Sequence, residues 1–183
     1  MGIEIREARE EDFEAIAGFD LTYPTDRFLR IERSGTPPEQ TVSFKWQDRP
    51  ESRDAVYNAY PVERLMHAKS MLDAFFVAES AGVPVGLLMV IVPGWANSAE
   101  ITDFAVDRGA RRQGAGRALL EAAMAWARQR GHVALWVEPR ADNAPAIDFY
   151  MRTGFRLSGY NDHLYSNADD EPGQQTLYLH LEL

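Results

Sequence analysis

A glycine-rich turn is the part of this chain whose residue types and spacing point most directly to chemistry. Residues 111–117 read Arg-Arg-Gln-Gly-Ala-Gly-Arg; they follow a strand-like run at 101–106 and open a helix rich in Ala and Leu. Glycines let a bound group approach the main chain closely, and the N–H groups and dipole of a helix N-terminus favour an anion. The turn therefore predicts a phosphate-binding site. A purely structural turn in a solvated basic loop is the alternative.

A second cluster follows, and it offers an amide and a phenol. Residues 143–150 read Asn-Ala-Pro-Ala-Ile-Asp-Phe-Tyr, and Gly154-Phe155 comes soon after. Asn143 and Tyr150 are separated by about two helical turns, so their side chains can project from one side of a short helix. A phenol placed there can protonate a departing thiolate. Together with a phosphate site, this cluster predicts acyl transfer from coenzyme A. A buried core tyrosine and a simple helix-capping asparagine are the alternatives.

Composition excludes several other kinds of chemistry. The 183 residues contain no cysteine, and the four histidines are scattered without the paired spacing of metal ligands. This rules out disulfides, thiolate ligands and a cysteine nucleophile, and no metal site is expected. No apolar run approaches the ~20 residues needed to span a bilayer, and the N-terminal apolar stretch is too short for a signal peptide. The sequence predicts a cytoplasmic protein with no membrane contact.

The charge balance bears on the partners. The formal net charge is −9, which opposes a broad nucleic-acid-binding surface and suits cationic small molecules or basic peptides. Solubility alone would also explain an acidic surface. Against this background, four arginines fall within the turn region, and this favours an anion site there: Arg108, Arg111, Arg112 and Arg117.

Hydrophobic periodicity predicts one mixed α/β domain over residues 1–183. Helices are expected at 10–19, 63–72, 116–130 and 145–153. Strands are expected at 3–6, 74–79, 85–92, 100–106, 132–138, 155–160 and 176–183, with a loop at 161–175. The proline-rich segment 21–70 is the variable part, and a hairpin of strands at 27–33 and 41–46 is predicted within it.

Three motifs in order carry a family resemblance. Glu-Ile-Thr-Asp-Phe-Ala-Val lies at 100–106, Arg-x-x-Gly-x-Gly at 111–116, and Asn-x-x-Ala-x-x-Phe-Tyr-x-x-x-Gly-Phe at 143–155. This stretch resembles the GNAT superfamily of N-acetyltransferases, with 75–160 as the acetyl-CoA-binding core. The resemblance implies a twisted, mixed and mostly antiparallel sheet of about six to seven strands, flanked by about four helices. It also implies acetyl-CoA as co-substrate, an amine acceptor and, since dimers are common in the superfamily, a homodimer.

The resemblance assigns residues to the coenzyme. Main-chain groups of Phe104, Ala105 and Val106 would pair with the pantetheine arm as an added strand would. The pyrophosphate would be held by the amides of the turn, namely Arg111, Arg112, Gln113, Gly114, Ala115, Gly116 and Arg117. Asn143 would contact the coenzyme and Tyr150 would be the general acid. The acceptor amine would attack the thioester directly.

Three carboxylates are candidates for the general base. Residues 136–143 resemble the matching segment of bacterial ribosomal-protein alanine acetyltransferases, in which a glutamate is the base, so Glu138 ranks first. Glu100 ranks second, because histone-type members of the superfamily carry their base there. Asp103 ranks third. Each of these could instead be a surface acid at a strand, and an amine can also lose its proton without a dedicated base.

A looser resemblance concerns the acceptor. Residues 154–165 and 176–179, together with the hairpin at 28–46, resemble streptothricin acetyltransferases. The expected acceptor is a small cationic amine such as an aminoglycoside- or streptothricin-type antibiotic. Groups that would suit a polycation are Glu138, Asp103, Asp162, Tyr160 and Tyr165. N-terminal acetylation of a protein or peptide is one alternative, and a catalytically silent acyl-CoA-binding sensor is another.

Overall fold

The computed structural model describes residues 2–164 and 175–183, so Tyr165 and most of the loop predicted at 161–175 lie outside the described residues. The chain divides into two compact units. Unit 1 comprises Met1–Thr22, Val56–Val137 and His180–Leu183, and unit 2 comprises Tyr23–Ala55 and Glu138–Leu179. The expected single domain over 1–183, with its variable segment 21–70 and coenzyme-binding core 75–160, stays a prediction.

The described elements follow the predicted order closely. The strands are β1 (Ile3–Glu7), β2 (Thr22–Thr36), β3 (Glu39–Val56), β4 (Ala74–Ser80), β5 (Val83–Ile91), β6 (Ser98–Val106), β7 (Ala134–Val137), β8 (Arg156–Asn161) and β9 (Thr176–Glu182). The helices are α1 (Phe13–Ala17), α2 (Val62–Lys69), α3 (Ala115–Gln129) and α4 (Ala144–Arg152). Short 3₁₀ turns cover Glu10–Asp12 and Arg108–Ala110.

Unit 1 is a twisted sheet with helices on it. Strands β1, β4, β5 and β6 are antiparallel neighbours in that order, and β7 adds to β6 in parallel. The main-chain N–H of Leu183 donates to the carbonyl of Val133 at 3.0 Å, which brings the end of β9 beside the start of β7. In unit 2, β9 continues as the neighbour of β8, and β2 and β3 form a two-stranded ribbon. The mixed, mainly antiparallel fold is thus confirmed.

The core of unit 1 explains why its helices form. One sheet face packs against α1 and α2 through a cluster made of Ala8, Phe13, Ile16, Leu21, Tyr60, Leu65, Phe75, Val77, Leu87, Met89 and Ala105. Helix α3 packs on β4 and β5. Its buried residues recur at helical spacing and are Ala115, Leu119, Leu120, Ala123 and Ala127. That periodicity predicted α3 to within one residue at each end.

Two regions of the chain differ from the sequence-based expectation. The helix expected at 10–19 is a 3₁₀ turn followed by the short α1, because the Asp12 carboxylate accepts the N–H of Arg9 and fixes a tight first turn. The ribbon strands β2 and β3 are much longer than the expected 27–33 and 41–46 and run through Pro24 and Pro50. A ribbon strand tolerates a proline whose nitrogen lies on the edge away from the partner strand, because no hydrogen bond between the two strands is lost there.

A buried ion pair near the start of the chain gives a stability prediction. The guanidinium of Arg6 donates to both carboxylate oxygens of Asp12 at 2.7 Å and to Glu79 at 2.9 Å. Burial acts to raise the pKa of Asp12, but the hydrogen bonds from Arg6 and Arg9 outweigh it, so this pKa lies below its ordinary value. The pair therefore stabilises the fold above the unfolded pKa of ~3.9 and loses its effect as the pH falls through the folded value.

We expect Asp12→Asn to lower the free energy of unfolding at pH 7 by about 3 kcal/mol, with a difference from the unmodified protein that shrinks below about pH 4. Chemical denaturation at pH 7 and pH 3 measures both values. Glu11→Gln is the matched control, because Glu11 is exposed and pairs with Arg9 at the surface. Equal losses in the two variants at pH 7 would contradict the assignment.

Candidate active site

The glycine-rich turn leads directly into α3. Gly114 is the residue before the helix, and its φ of +95° lies in the left-handed region that favours glycine. Gly114 has no side chain to cap the helix, and the N–H groups of residues 115–117 have no partner within the helix itself. A Cβ at Gly114 would meet no atom within 4 Å, so there is space above the turn. This geometry suits an anion.

Arg111 holds the turn in place. Its Nε donates to the carbonyl oxygen of Val106 at 3.0 Å, and its Nη1 donates to the carbonyl oxygen of Thr22 at 2.6 Å. One guanidinium thus joins the end of β6, the turn and the start of β2. The expected contribution of Arg111 to coenzyme binding is therefore limited to its main chain and to this bracing of the turn.

Other side chains complete the scaffold of the turn. Asp107 accepts the N–H of Gly109 at 2.9 Å through one oxygen and the N–H of Asp20 at 2.8 Å through the other. The side-chain amide of Gln113 donates to the carbonyl of Gly109 at 3.1 Å. Gln113, like Arg111, thus uses its side chain within the turn and leaves main-chain groups for a ligand.

The two remaining arginines of the predicted set are exposed. Arg112 has a φ of +66°, a left-handed conformation that is uncommon for a residue with a side chain. Arg117 pairs with Glu121 one helical turn further on at 2.9 Å, with both side chains largely exposed. Such a surface pair is weak, so Arg117 remains able to turn toward a phosphate.

Strand β6 changes its pairing where the predicted coenzyme-binding segment begins. Its pairing with β5 shifts register so that Thr102 is an extra residue, which is a β-bulge. On its other side, the register with β7 covers Ser98–Ile101, whereas the register with β5 continues to Val106. Within the described pairings, β7 therefore stops pairing with β6 after Ile101. An extended arm could add to the sheet along β6 from this point.

Asp103, the third candidate base, is already hydrogen-bonded. It lies on the buried face of β6 and is 9% exposed. Its Oδ1 accepts the hydroxyl of Tyr60 at 2.9 Å and lies 3.4 Å from the guanidinium of Arg64. Burial raises the pKa of Asp103, and the Tyr60 hydrogen bond and the Arg64 charge offset this only in part. The sequence analysis did not single out Tyr60 or Arg64, because no local pattern in their segment predicts a contact with β6.

Glu100, the second candidate base, also lies on β6. It falls among the half-buried positions that alternate with the buried ones. Its Cα partners in the sheet are Ile91 on β5 and Trp136 on β7. Glu100 and Asp103 are thus held by the same strand but in different surroundings, because Asp103 lies under α2 with Tyr60.

Unit 2 carries the amide and the phenol. Asn143 caps α4, since its side-chain oxygen accepts the N–H of Ala146 at 3.2 Å. Tyr150 lies on α4, is 8% exposed, and packs against Phe149 and Phe155 with ring centroids 5.7 and 5.1 Å away. The capping and core roles that the sequence left as alternatives are therefore real. The cap orients the Asn143 side chain and the ring contacts orient Tyr150. Both residues remain candidates for a role in catalysis.

Glu138, the first candidate base, is the first residue of the second part of unit 2. It is half-buried, and burial raises the pKa of its carboxyl, while a hydrogen bond from Thr176 on β9 acts in the opposite direction. The next residue is fixed as well, because the carbonyl of Pro139 accepts the N–H of Leu177 at 3.0 Å. Glu138 is therefore a half-buried carboxyl group whose pKa lies above the ordinary value of a glutamate.

The groups expected to attract a polycation at β8 are already paired. Arg33 on the ribbon donates from Nε to the Tyr160 hydroxyl at 2.9 Å and forms an ion pair with Asp162. Phe44 contacts the Tyr160 ring edge-on at 5.7 Å. Asp162 and Tyr160 therefore help to hold the ribbon to β8 within unit 2, and the negative charge of Asp162 is largely neutralised.

The described residues also limit other kinds of site. Within residues 2–164 and 175–183, no group of three or more His, Asp or Glu side chains is arranged to hold a metal ion. No helix in this part of the chain is long and apolar enough to cross a membrane.

Within unit 1, the structure joins the 104–106 segment to the glycine-rich turn. Within unit 2, it places Asn143 and Tyr150 on one helix.

Comparison with known proteins decides the family. The sequence pattern of the Acetyltransferase (GNAT) family matches residues 27–155. The chain belongs to the GNAT family of acetyltransferases. GNAT acetyltransferases use acetyl-CoA, so this protein is an N-acetyltransferase with acetyl-CoA as its co-substrate.

Individual relatives refine the comparison. The chain is 31% identical over 183 residues to the streptothricin acetyltransferase of Streptomyces lavendulae, covering 96% of this chain and 93% of that protein. The crystal structure of nourseothricin acetyltransferase superimposes with a TM-score of 0.82 at 28% identity, over 100% of this chain and 99% of that one. A shorter match, 40% identical over 73 residues, is to the ribosomal protein bS18-alanine N-acetyltransferase of Escherichia coli K12, covering 40% of this chain and 49% of that enzyme.

Proposed function

We propose that this GNAT enzyme acetylates a primary amine of a small polycationic molecule, with streptothricin-type antibiotics as the leading acceptors. The observation that carries the proposal is the similarity to a streptothricin acetyltransferase over nearly the full length of both chains. Such a match includes the ribbon, β8 and β9 as well as the coenzyme-binding motifs. A net charge of −9 supports a cationic acceptor, because it raises the local concentration of cations around the enzyme.

On the coenzyme side, unit 1 supplies the binding groups. The main-chain N–H groups at the start of α3 hold the pyrophosphate of acetyl-CoA, and the turn braced by Arg111 and Asp107 keeps them in position. The pantetheine arm runs along β6 beyond Ile101 and pairs with the main chain of residues 104–106. Asn143 contributes a further polar contact to the coenzyme.

The transfer itself is direct. The lone pair of the acceptor nitrogen attacks the thioester carbonyl carbon, a C–N bond forms, and the C–S bond breaks. A main-chain amide, with Val106 as our candidate, donates to the oxyanion that develops on the carbonyl oxygen. The Tyr150 hydroxyl gives its proton to the departing thiolate. Glu138 takes the proton that the amine loses, directly or through water.

Glu138 is preferred over Asp103 on physical grounds and over Glu100 on the family resemblance of residues 136–143. Burial raises its pKa, which makes it a stronger base than an ordinary glutamate at the working pH. Asp103 is engaged by Tyr60 and Arg64, and Glu100 remains the second candidate.

A second candidate function is acetylation of a protein N-terminus. The local match to the bS18-alanine acetyltransferase favours it, because its 40% identity over 73 residues is higher than the 31% identity over 183 residues to the streptothricin acetyltransferase. The two candidates differ in the acceptor alone, so one experiment separates them.

That experiment follows thiol release from acetyl-CoA with pooled acceptors. The pools are streptothricin with aminoglycosides, polyamines, amino acids, and short peptides with varied first residues. The proposal expects release with the cationic antibiotics and polyamines. Release confined to peptides with one particular first residue would replace it with the second candidate.

Tyr150→Phe tests the general acid. Without the hydroxyl, the thiolate must leave unprotonated, so we expect turnover to fall roughly ten- to a thousand-fold while the dissociation constant of acetyl-CoA changes little. Steady-state kinetics and calorimetry measure the two quantities. Phe149→Leu on the same helix is the packing control. Unchanged turnover in Tyr150→Phe would remove Tyr150 from the mechanism.

Gly114→Trp tests the anion site, and Gly131→Trp is its matched control. Gly131 follows the other end of α3, has a φ of +78°, and likewise has no atom within 4 Å of an added Cβ. Both variants should lose about 1–2 kcal/mol of stability from the left-handed backbone. Only Gly114→Trp should abolish acetyl-CoA binding, because its indole fills the space above the turn. Normal affinity in Gly114→Trp would rule the site out.

Glu138→Gln tests the base through the pH profile. A base acts only when deprotonated, so kcat/KM should fall as the pH drops through the pKa of Glu138, which lies above the ordinary value of 4.5. Glu138→Gln should lower kcat at pH 7 by roughly a hundredfold and remove this acid limb. Glu100→Gln should keep the limb. If the limb disappears in Glu100→Gln instead, Glu100 is the base.

A further inference from the structure

A carboxylate and two aromatic rings meet within unit 1, at a place the transfer chemistry above does not use. Asp103 lies on the face of β6 that packs under α2, and its Cα partner on β5 is Met89. A carboxylate on such an apolar face costs several kcal/mol unless it is hydrogen-bonded and paired with a charge. The buried hydroxyl of Tyr60, a residue only 2% exposed, supplies one hydrogen bond, and the side chain of Asn58 supplies another. Tyr57 lies next to it, with the two ring centroids 6.3 Å apart.

Arg64 is the cation that this cluster holds. Its guanidinium carbon lies 5.1 Å from the centre of the Tyr60 ring, and one of its nitrogens lies 3.4 Å from Asp103. A carboxylate beside an aromatic face is the arrangement that proteins use to bind organic cations. The cluster therefore already functions as a cation site, with a side chain of the protein's own helix α2 in it.

The hold on Arg64 is loose. A charge-assisted hydrogen bond between a guanidinium and a carboxylate is ordinarily about 2.7–2.9 Å, and the Arg64–Asp103 distance exceeds that range. The Arg64 side chain is 43% exposed, and its other terminal nitrogen donates to the carbonyl of Ala59 at 3.0 Å. Only the Arg64 side of the pair is exposed, so an incoming cation can take the place of Arg64 beside Asp103 without leaving the buried carboxylate unpaired.

We propose that Asp103 and Tyr60 bind a second cationic group of the acceptor, a guanidinium or an ammonium distinct from the amine that is acetylated, and that Arg64 fills this site until the acceptor displaces it. The proposal rests on the proposed function, in which the acceptor is a small polycation. Asp103 directly precedes residues 104–106 of β6, which we assign to the pantetheine arm. A cation held by Asp103 therefore lies next to the strand along which that arm is proposed to run. In this role Asp103 binds substrate and leaves proton transfer to another carboxylate.

The geometry also explains why a carboxylate is kept on this face. Burial raises the pKa of Asp103, while the hydrogen bonds from Tyr60 and Asn58 and the charge of Arg64 act in the opposite direction. A permanent cation that approaches more closely than Arg64 strengthens that opposing effect. The acceptor cation thus forms with Asp103 the close ion pair that Arg64 forms only at a longer distance.

Two acceptors that differ in one group test the proposal. Butylamine and 4-aminobutylguanidine present the same primary amine, and only the second carries a further cation. The ratio of their kcat/KM values is measured for the unmodified enzyme, Asp103→Asn, Arg64→Gln and the control Glu63→Gln, which removes an exposed charge from the same helix. The enzyme should prefer 4-aminobutylguanidine. Asp103→Asn should cut that preference about tenfold, equivalent to about 1.4 kcal/mol.

Arg64→Gln gives the opposite change. Removal of the resident guanidinium takes away the competitor, so the preference for 4-aminobutylguanidine should rise several-fold, while Glu63→Gln should leave the ratio within about twofold. An equal loss with both acceptors in Asp103→Asn, or a lowered preference in Arg64→Gln, would overturn the proposal. Thermal unfolding checks that Asp103→Asn folds; if it does not, the direction of the Arg64→Gln change decides alone.

A binding measurement separates failure of the proposed function from failure of the cation site. If the unmodified enzyme acetylates neither amine nor any cationic antibiotic, the acceptor assignment has failed. Calorimetric titration of 4-aminobutylguanidine into the enzyme saturated with coenzyme A still tests the cation site. Binding that Asp103→Asn weakens and Arg64→Gln strengthens supports the site. Binding that is insensitive to both substitutions, or absent from the unmodified enzyme, overturns it.

Discussion

The two hydrogen bonds of the Arg111 guanidinium are the interaction on which the proposed coenzyme-binding turn depends. A helix N-terminus binds an anion only if its first N–H groups stay exposed and point in a fixed direction. Gly114 leaves those groups uncapped, and such a bare turn needs support from elsewhere. Arg111 provides it by donating to the carbonyls of Val106 and Thr22. An arginine suits this task because its donors form a rigid fork, whereas a lysine presents one mobile charge.

Arginines also hold the buried carboxylates of this protein in place. This protein is strongly acidic, yet its buried carboxylates are matched with arginines within their own units. Asp12 has Arg6 at 2.7 Å, and Asp142 has Arg140 at 2.8 Å. The Asp103–Arg64 distance is longer, at 3.4 Å. Tight pairs stabilise a fold by satisfying a buried charge, and the longer Asp103–Arg64 pair is the one whose cation we propose a ligand replaces. The contrast is the physical reason to treat Asp103 separately from the structural carboxylates.

Sequence reasoning succeeded wherever the signal was local. The periodicity of α3, the glycine before it and the Asn-Ala-Pro start of α4 each depend on neighbours a few residues away, and each predicted element is present. It failed where the determinant is distant. Tyr60 meets Asp103 across 43 residues, and Arg33 meets Tyr160 across 127 residues. No local pattern encodes such pairs. The motif predicted the position of Arg111, but its side-chain hydrogen bond to Thr22 is a tertiary contact across 89 residues that no local pattern encodes.

The central claim is that main-chain amides at the start of α3 bind the pyrophosphate of the coenzyme. Nuclear magnetic resonance of the ¹⁵N-labelled enzyme, titrated with coenzyme A and separately with pantetheine, tests it most directly. We expect the amide resonances of Ala115, Gly116 and Arg117 to shift with coenzyme A and to stay in place with pantetheine, which lacks the phosphates. Unmoved resonances of these three amides at saturating coenzyme A would contradict it.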